Sequence, residues 1–473
     1  MMGTRVKRRF VGLLLAVADL VVLYGGYLIA FLILFGRDIP ERNWEAFVLT
    51  APWMGLAALI IFNFFDLYAN TNRRSYDNFL YSILLSSGLL MIVLVAVSFW
   101  VRGFAMPRSV ILLGTVIVTV LILLVRSIVW YMQLKMNGKK QVLIVTSSME
   151  NGKKITEKVF EHVKGWFEIR AVVTADKKEM IAEHIAHIDV VLITPELTGE
   201  QKAEIMSYSS RYTKEVLLVP ELYELFLMGA EAQQIDDMLV FSVLPPSLSS
   251  GERLVKRIMD IVISAILLLV LSPLMVALLI LIPLTSKGSP IYSQVRIGKD
   301  GRPYMIYKFR TMVKDAEEMT GPVLAAEEDP RITRLGRWLR PLRIDELPQL
   351  YNVLKGDMSL VGPRPERPHF MKRYKNDYPD YLYRVEVKPG ITGLAQVKAK
   401  YSTTAEEKLR YDLMYIRNYT LLLDVKLLFQ TLIVVLRGAQ AKGVRHSDHP
   451  DPNLAQLHRE TEKLASNQNH LTQ

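Results

Sequence analysis

Four long apolar runs fill the first 135 residues, near 10–35, 46–68, 79–101 and 109–134. Each reaches the roughly 20 residues that span a bilayer as a helix. Lengths of this kind, with a mean hydropathy of +0.20, argue against four core helices of a soluble protein. The flanks carry the orientation. Arg5, Lys7, Arg8 and Arg9 precede the first run, Arg73 and Arg74 separate the second from the third, and Lys135, Lys139 and Lys140 follow the fourth. The loop at 36–45 mixes Arg37 and Arg42 with Asp38, Glu41 and Glu45, and the loop before the fourth run holds only Arg102 and Arg108. The excess of positive charge therefore predicts that both ends of the bundle lie in the cytoplasm. The first run is too long for a signal core and lacks a small-residue cleavage site, so no cleaved leader is expected.

Residues 137–250 change character. QVLIVT (141–146), EIRAVVT (168–174), DVVLIT (189–194) and EVLLVP (215–220) are short runs rich in Val and Ile, separated by helix-length polar stretches. That alternation predicts a parallel α/β sheet, a Rossmann-like cytoplasmic module. The first strand is followed by TSSMENGKK, without the glycines of a dinucleotide fingerprint. A structural or regulatory role is therefore favoured over a cofactor site.

LPPSLSSGERLVKR (244–257) reads as a linker, and a fifth apolar run follows at 258–284. Its length fits a fifth spanning helix. Its flanks are basic on both sides (Arg253, Lys256 and Arg257 before, Lys287 after), and Ser272-Pro273 lies in its middle. Proline removes a backbone donor and kinks a helix, so a re-entrant hairpin fits as well as a kinked span. Residues 287–437 are soluble in character. Within them 421–436 is apolar but carries Asp424 and Lys426, the pattern of an interfacial helix. The tail from 438 to 473 is polar and expected to be disordered.

The chemistry gathers in RITRLGRWLRPLRIDELPQLYN, residues 331–352. Its five arginines repeat every third residue, and on a helix that spacing drifts around the axis, so they cannot share one stripe. Pro341 should end any helix that reaches it. Arg331 and Arg334 suit a solvated face or anionic headgroups, whereas Arg340 and Arg343 flank an acid pair and suit bidentate phosphate recognition. Asp345 and Glu346 point in different directions on a helix and would do different work. A carboxylate among arginines stays ionised, a suitable nucleophile for phosphorus. Its neighbour can hold Mg²⁺. The net charge of +11 suits nucleic acid, anionic lipid or phosphorylated small molecules. The lack of cysteine excludes disulfides, thiol catalysis and zinc–thiolate sites.

With QVRIGKDGRPYMIYKFRTM (294–312), DELPQLYNVLKGDMSLVGPRPE (345–366) and KPGITGLAQV (388–397), the chain from 256 to 436 resembles the bacterial polyprenyl-phosphate hexose-1-phosphate transferases. The N-terminal helices and α/β module resemble the long form of that family. The resemblance implies three structured parts and a tail. These are four transmembrane helices (1–136), the Rossmann-like module (137–250), a monotopic α/β catalytic domain (251–437) whose helix re-enters at Ser272-Pro273, and the tail (438–473). It implies that Asp345 attacks the sugar-bearing phosphorus of a UDP-hexose, expels UMP and passes the phosphosugar to undecaprenyl phosphate. Glu346 would be the Mg²⁺ ligand. Arg340 and Arg364 would bind phosphate, Asp412 matches a late family aspartate, and Lys308 and Arg310 would lie in or near the site. The partners implied are the two substrates, membrane lipid and a second copy of the chain, with no nucleic acid. The location implied is the bacterial cytoplasmic membrane, with catalysis on its cytoplasmic face at the start of exopolysaccharide, capsule or O-antigen synthesis.

Three positions depart from the family pattern: Arg343 where a small or polar residue is usual, Ile344 where Leu is commoner, and Ser289 at a Gly-Pro junction. None removes a catalytic group. Two rival readings remain. A membrane-attached nucleotide-sugar dehydratase needs a glycine-rich first turn, which is absent, and a Tyr-x-x-x-Lys; Tyr304/Lys308 and Tyr131/Lys135 have that spacing. A non-catalytic regulator of polysaccharide assembly would not need an intact Asp345-Glu346.

Overall fold

The computed structural model describes residues 2–68, 76–100, 106–137, 139–162, 166–244, 248–314, 316, 329–400 and 403–437. The tail at 438–473 and the arginines 73, 74 and 102 lie outside the described residues. Contacts divide the chain into two compact units, one ending at Pro220 and one beginning at Glu221.

The first unit opens with α1 (Met2–Phe35), α2 (Glu41–Phe64), α3 (Tyr76–Trp100) and α4 (Arg108–Asn137). All four are long and apolar enough to cross a membrane, and most of each helix surface is left outside the bundle. Small residues set the α1–α4 contact: a Cβ on Gly114 would fall 2.6 Å from the Tyr27 ring and one on Gly26 2.5 Å from Val118. Such close approach is how helices gain packing where lipid removes the hydrophobic drive. Polar groups inside are paired across the same interface. Tyr27 Oη lies 3.0 Å from Thr115 Oγ1, and Arg126 donates to buried Asp19 at 2.6 Å.

The α/β part runs β1 (Lys140–Thr146), α5 (Met149–His162), β2 (Phe167–Thr174), α6 (Lys178–His187), β3 (Val190–Ile193), α7 (Gly199–Arg211) and β4 (Glu215–Leu218). The sheet is parallel in the order β2-β1-β3-β4. Val142, Ile144, Val190 and Leu192 meet Ile155 and Val159 of α5. Leu143, Val145, Val191 and Ile193 meet Ile181 and Ile185 of α6 and Ile205 of α7. Helices thus cover both faces, which explains strands apolar at nearly every position.

The second unit begins with α8 (Leu222–Phe226) and a hairpin, β5 (Glu231–Ile235) and β6 (Met238–Ser242). Leu225 packs against Met371, Leu409 and Leu413, and Arg417 donates to the Leu244 carbonyl at 2.7 Å. Residues 221–244, adjoining the α/β stretch in sequence, therefore pack with the second unit. The fifth apolar run is α9, one helix over Ser250–Thr285. It starts earlier than the apolar run, so residues 250–257 are helix rather than linker. Ser249 and Glu252 form a reciprocal capping box that starts it there.

After α9 come the antiparallel β7 (Ile291–Ile297) and β8 (Pro303–Phe309), α10 (Arg334–Leu339), a 3-10 turn (Ile344–Glu346) and α11 (Gln349–Lys355). Then follow β9 (Ser359–Val361), α12 (Pro368–Asp377), β10 (Gly390–Thr392), α13 (Leu394–Lys398), α14 (Ala405–Arg417) and α15 (Leu421–Arg437). β9 and β10 pair in parallel. Their loops touch backbone to backbone: a Cβ on Gly390 would stand 2.1 Å from the Gly362 nitrogen, so only glycine fits there.

Both ends of α9 are held by this unit. Near its start, Lys256 pairs with Asp424, Arg257 donates to the carbonyls of Val353 and Leu354 at 2.6 and 2.7 Å, and Asp260 accepts from Ser359 Oγ and Leu360 N at 3.1 and 3.0 Å. Near its end, Leu278 and Ile282 pack on Phe309 and Leu339. The middle is exposed. The helical run continues through Ser272-Pro273, the place of the expected kink or re-entry. Pro273 leaves the Leu269 carbonyl without its usual donor, and Ser272 Oγ donates to it at 2.7 Å. Asp424 of α15 is likewise inside rather than at an interface, because Lys256 and Tyr415 bond it; Leu422, Leu432 and Leu436 of that helix are exposed.

Candidate active site

The acid pair sits on the 3-10 turn, positioned by what precedes it. α10 ends at Leu339 with Arg340 as its cap, as Pro341 requires. Arg343 then takes the left-handed conformation, φ 55°, which a small or polar residue adopts with less strain. Its carbonyl accepts from Glu346 N at 3.1 Å. The turn withdraws both carboxylates: Asp345 is 9% exposed and Glu346 5%.

Their partners differ. Glu346 Oε1 accepts from Lys308 Nζ at 2.7 Å and from Arg364 Nη2 at 2.9 Å, and Oε2 meets Arg343 Nη1 at 3.4 Å. Lys308 comes from β8, and Arg364 from the loop after β9. Asp345 Oδ1 is buried with no hydrogen-bond partner, and so is Arg340 Nη1. An orphaned buried acceptor beside an orphaned guanidinium nitrogen is costly, and it suits a site that takes its remaining partners from substrate.

The electrostatics separate the two acids. Burial works to raise the Glu346 carboxyl, but the charges of Arg364, Lys308 and Arg343 outweigh it and hold it well below the usual range. Burial, reinforced by the Glu346 charge and opposed by Lys308, Arg340 and Arg343, pushes Asp345 up to about 6. The strongly acidic member is thus Glu346, and Asp345 is a more basic carboxylate that is still ionised at neutral pH. Burial lowers the Lys308 ammonium although Glu346 opposes this, and Glu346 raises the Arg364 guanidinium.

Two expected residues take other places. Arg310 turns its guanidinium to the end of α9, donating to the carbonyls of Ser286, at 2.7 Å, and Lys287. Asp412 of α14 lies behind the site, accepting from Arg384 Nη2 at 2.7 Å. Burial pushes it up to about 6 against the pull of Arg384. Arg384 escaped the sequence analysis, since YLYRVEV shows nothing but an isolated arginine. It is 5% exposed, donates to the Arg364 carbonyl at 2.9 Å, and meets Glu366 at 3.3 Å. Arg296 also went unassigned inside its motif. It donates to the Pro365 carbonyl at 3.0 Å, and burial, then Arg364, lowers it to about 10. Tyr304 pairs opposite Arg296 in the hairpin, and Lys308 is held by Glu346.

Among the described residues no three His, Asp or Glu side chains converge as a metal cage. Mg²⁺ takes one or two carboxylates together with water and substrate phosphates. Glu346 fits that donor set with one carboxylate oxygen, its Oε2, whose contact with Arg343 is the looser one.

The sequence profile described as "Bacterial sugar transferase" matches residues 251–438, which hold every group of this site. A UDP-N-acetylgalactosamine-undecaprenyl-phosphate N-acetylgalactosaminephosphotransferase of Aeromonas hydrophila is 46% identical over 191 residues, 40% of this chain and 45% of that protein. A UDP-glucose:undecaprenyl-phosphate glucose-1-phosphate transferase of Klebsiella pneumoniae is 35% identical over 251 residues, 52% of this chain and 54% of that protein. This chain therefore spans about half the length of these two relatives. A shorter Bacillus subtilis protein is 50% identical over 158 residues, 33% of this chain but 78% of that protein. With its acid pair, its arginines and their supporting helices all inside the matched region, the chain belongs to the bacterial sugar transferase family.

Proposed function

We propose that the protein transfers hexose-1-phosphate from a UDP-sugar to undecaprenyl phosphate. The unpartnered Asp345 Oδ1, set beside Arg340 and the Glu346 cluster, is the observation that carries this reading. Asp345 Oδ1 bonds to the sugar-bearing phosphorus and the bond from that phosphorus to the UMP oxygen breaks. An oxygen of undecaprenyl phosphate then bonds to the same phosphorus and releases Asp345, leaving a diphosphate-linked lipid sugar. One phosphoanhydride replaces another, so no ATP is consumed. Arg340 and Arg364 neutralise phosphate charge, the usual route to rate in phosphoryl transfer. Lys308 and Arg364 keep Glu346 ionised. Mg²⁺, when bound by Glu346, would supply further neutralisation of the phosphates.

The membrane placement belongs to the same reading. The bundle lies with its ends in the cytoplasm by its charge pattern, and α9 dips into one leaflet and returns. Support comes from the two ends of α9, Lys256 and Ile282, which both pack on the rest of the second unit, while the middle around Leu269 is exposed. The exposed leucines of α15 suit the same interface. The α/β part is Rossmann-like in having helices on both faces of a parallel sheet, and it serves structure or regulation. A homodimer is the expected assembly. The dehydratase and regulator readings gain nothing from the relatives, which are named as transferases.

The test incubates the full chain in membranes with UDP-hexoses, Mg²⁺ and undecaprenyl phosphate. UMP release that depends on the lipid is expected. UDP-sugar left intact across a panel of sugars overturns the reading.

A further inference from the structure

The five arginines of 331–343 divide by direction. Arg331 chelates Asp329, with Nε at 2.8 Å from Oδ1. Arg343 meets Glu346 at 3.4 Å, and the charge of Arg340, whose Nη1 is buried, acts on Asp345. Arg334 and Arg337 are exposed, and so is Trp338, at 77%. These last three occupy positions i, i+3 and i+4 of α10 and therefore share one face. The opposite face, Leu335 and Leu339, packs on Leu278 and Ile282 of α9. Near its end α9 exposes apolar residues, among them Ile280 and Leu284, the latter 76% exposed, and exposed Lys287 follows the helix. The exposed apolar end of α9 is thus followed by Lys287, and the helix packed against it exposes one tryptophan and two arginines. Tryptophan is enriched at the membrane–water boundary, where its ring is apolar and its N–H is wet, and basic side chains there gain from anionic headgroups.

We propose that the outer face of α10 is a docking surface for anionic phospholipid headgroups, with Trp338 at the boundary and Arg334 and Arg337 on the phosphates. The occupant is bulk lipid rather than a soluble protein, because α10 packs on the part of α9 whose exposed residues are apolar and the charge of its outer face complements an anionic leaflet. The contact fixes the depth of the turn that carries Asp345, since α10 leads into that turn through Pro341. The assignment rests on the reading that α9 enters the membrane.

The chain has no cysteine, so single cysteines can be placed without background. Trp338→Cys, Leu269→Cys and Asp300→Cys are spin-labelled in the full chain and placed in nanodiscs of phosphatidylcholine, with or without phosphatidylglycerol. Accessibility to oxygen is compared with accessibility to a water-soluble nickel chelate. Expected are a lipid signal at 269, an aqueous signal at 300 and a boundary signal at 338 that moves deeper with phosphatidylglycerol. Arg334→Gln with Arg337→Gln should abolish that movement. A label at 338 as aqueous as at 300 in both discs overturns the docking surface while 269 stays in lipid. A boundary signal indifferent to lipid charge and to the arginine variants overturns the headgroup assignment. An aqueous signal at 269 overturns the entry of α9, and the docking surface with it.

Discussion

Lys308 Nζ donates to Glu346 Oε1 at 2.7 Å across 38 positions of sequence, while Asp345, the next residue to Glu346, keeps a buried oxygen with no partner. Glu346 Oε1 is held by the protein's own cations, and Asp345 Oδ1 is left for a ligand. Asp345→Asn is therefore expected to lower UMP release by more than about 10³-fold, with folding unchanged. Single-turnover release of UMP from the Asn variant at wild-type rate would remove Asp345 from the nucleophile's place.

The pH response follows from the raised carboxyls. Asp345 and Asp412 are both pushed up to about 6, so each takes a proton as pH falls through that value. With Asp345 as the proposed nucleophile, its protonated form would not attack, and protonated Asp412 weakens its ion pair with Arg384. Activity should be flat above about 7 and fall steeply below 6. Asp412→Asn should make the acid limb shallower, leaving the Asp345 step in place. A rate unchanged down to pH 5 contradicts the assignment.

Arg384 is held among Asp412, Glu366 and the Arg364 carbonyl. Replacing it by Met leaves buried Asp412 without its ion-pair partner, at a cost of about 3–5 kcal/mol. Thermal unfolding of Arg384→Met should shift down clearly, and Arg384→Lys should recover part of the loss. An unshifted midpoint would mean that the network contributes no stability.

Lys256 and Asp424 tie the start of α9 to α15. Lys256→Met leaves Asp424 buried and unpaired, whereas Lys256→Met with Asp424→Leu removes the charge altogether. The double variant should be more stable than Lys256→Met alone, since losing one buried partner costs more than losing both. Additive losses in detergent-solubilised protein would deny the coupling.

Removal of divalent cation is expected to stop transfer, with Mg²⁺ restoring it, if Glu346 holds the ion beside the phosphates. Full activity in excess chelator would leave Glu346 only its bonds to Lys308, Arg364 and Arg343.

The sequence by itself determined the parts whose physics is local. Apolar runs longer than a bilayer needs dictate the four N-terminal helices, Val- and Ile-rich runs between polar stretches dictate the parallel sheet, and Pro341 dictates the end of α10. The motif order around Asp345-Glu346 located the candidate site for the same reason: its residues are close in sequence or lie in distinctive runs. Tertiary structure decided what depends on long-range pairing. It sent Arg310 to the end of α9 and Asp412 to Arg384, put Lys256 and Asp260 inside a helix that had read as linker and membrane, and divided five similar arginines into an Asp329 pair, an outward face and two site cations. A charged side chain takes its role from the partner that pays for its burial, and in this fold those partners stand far away along the chain.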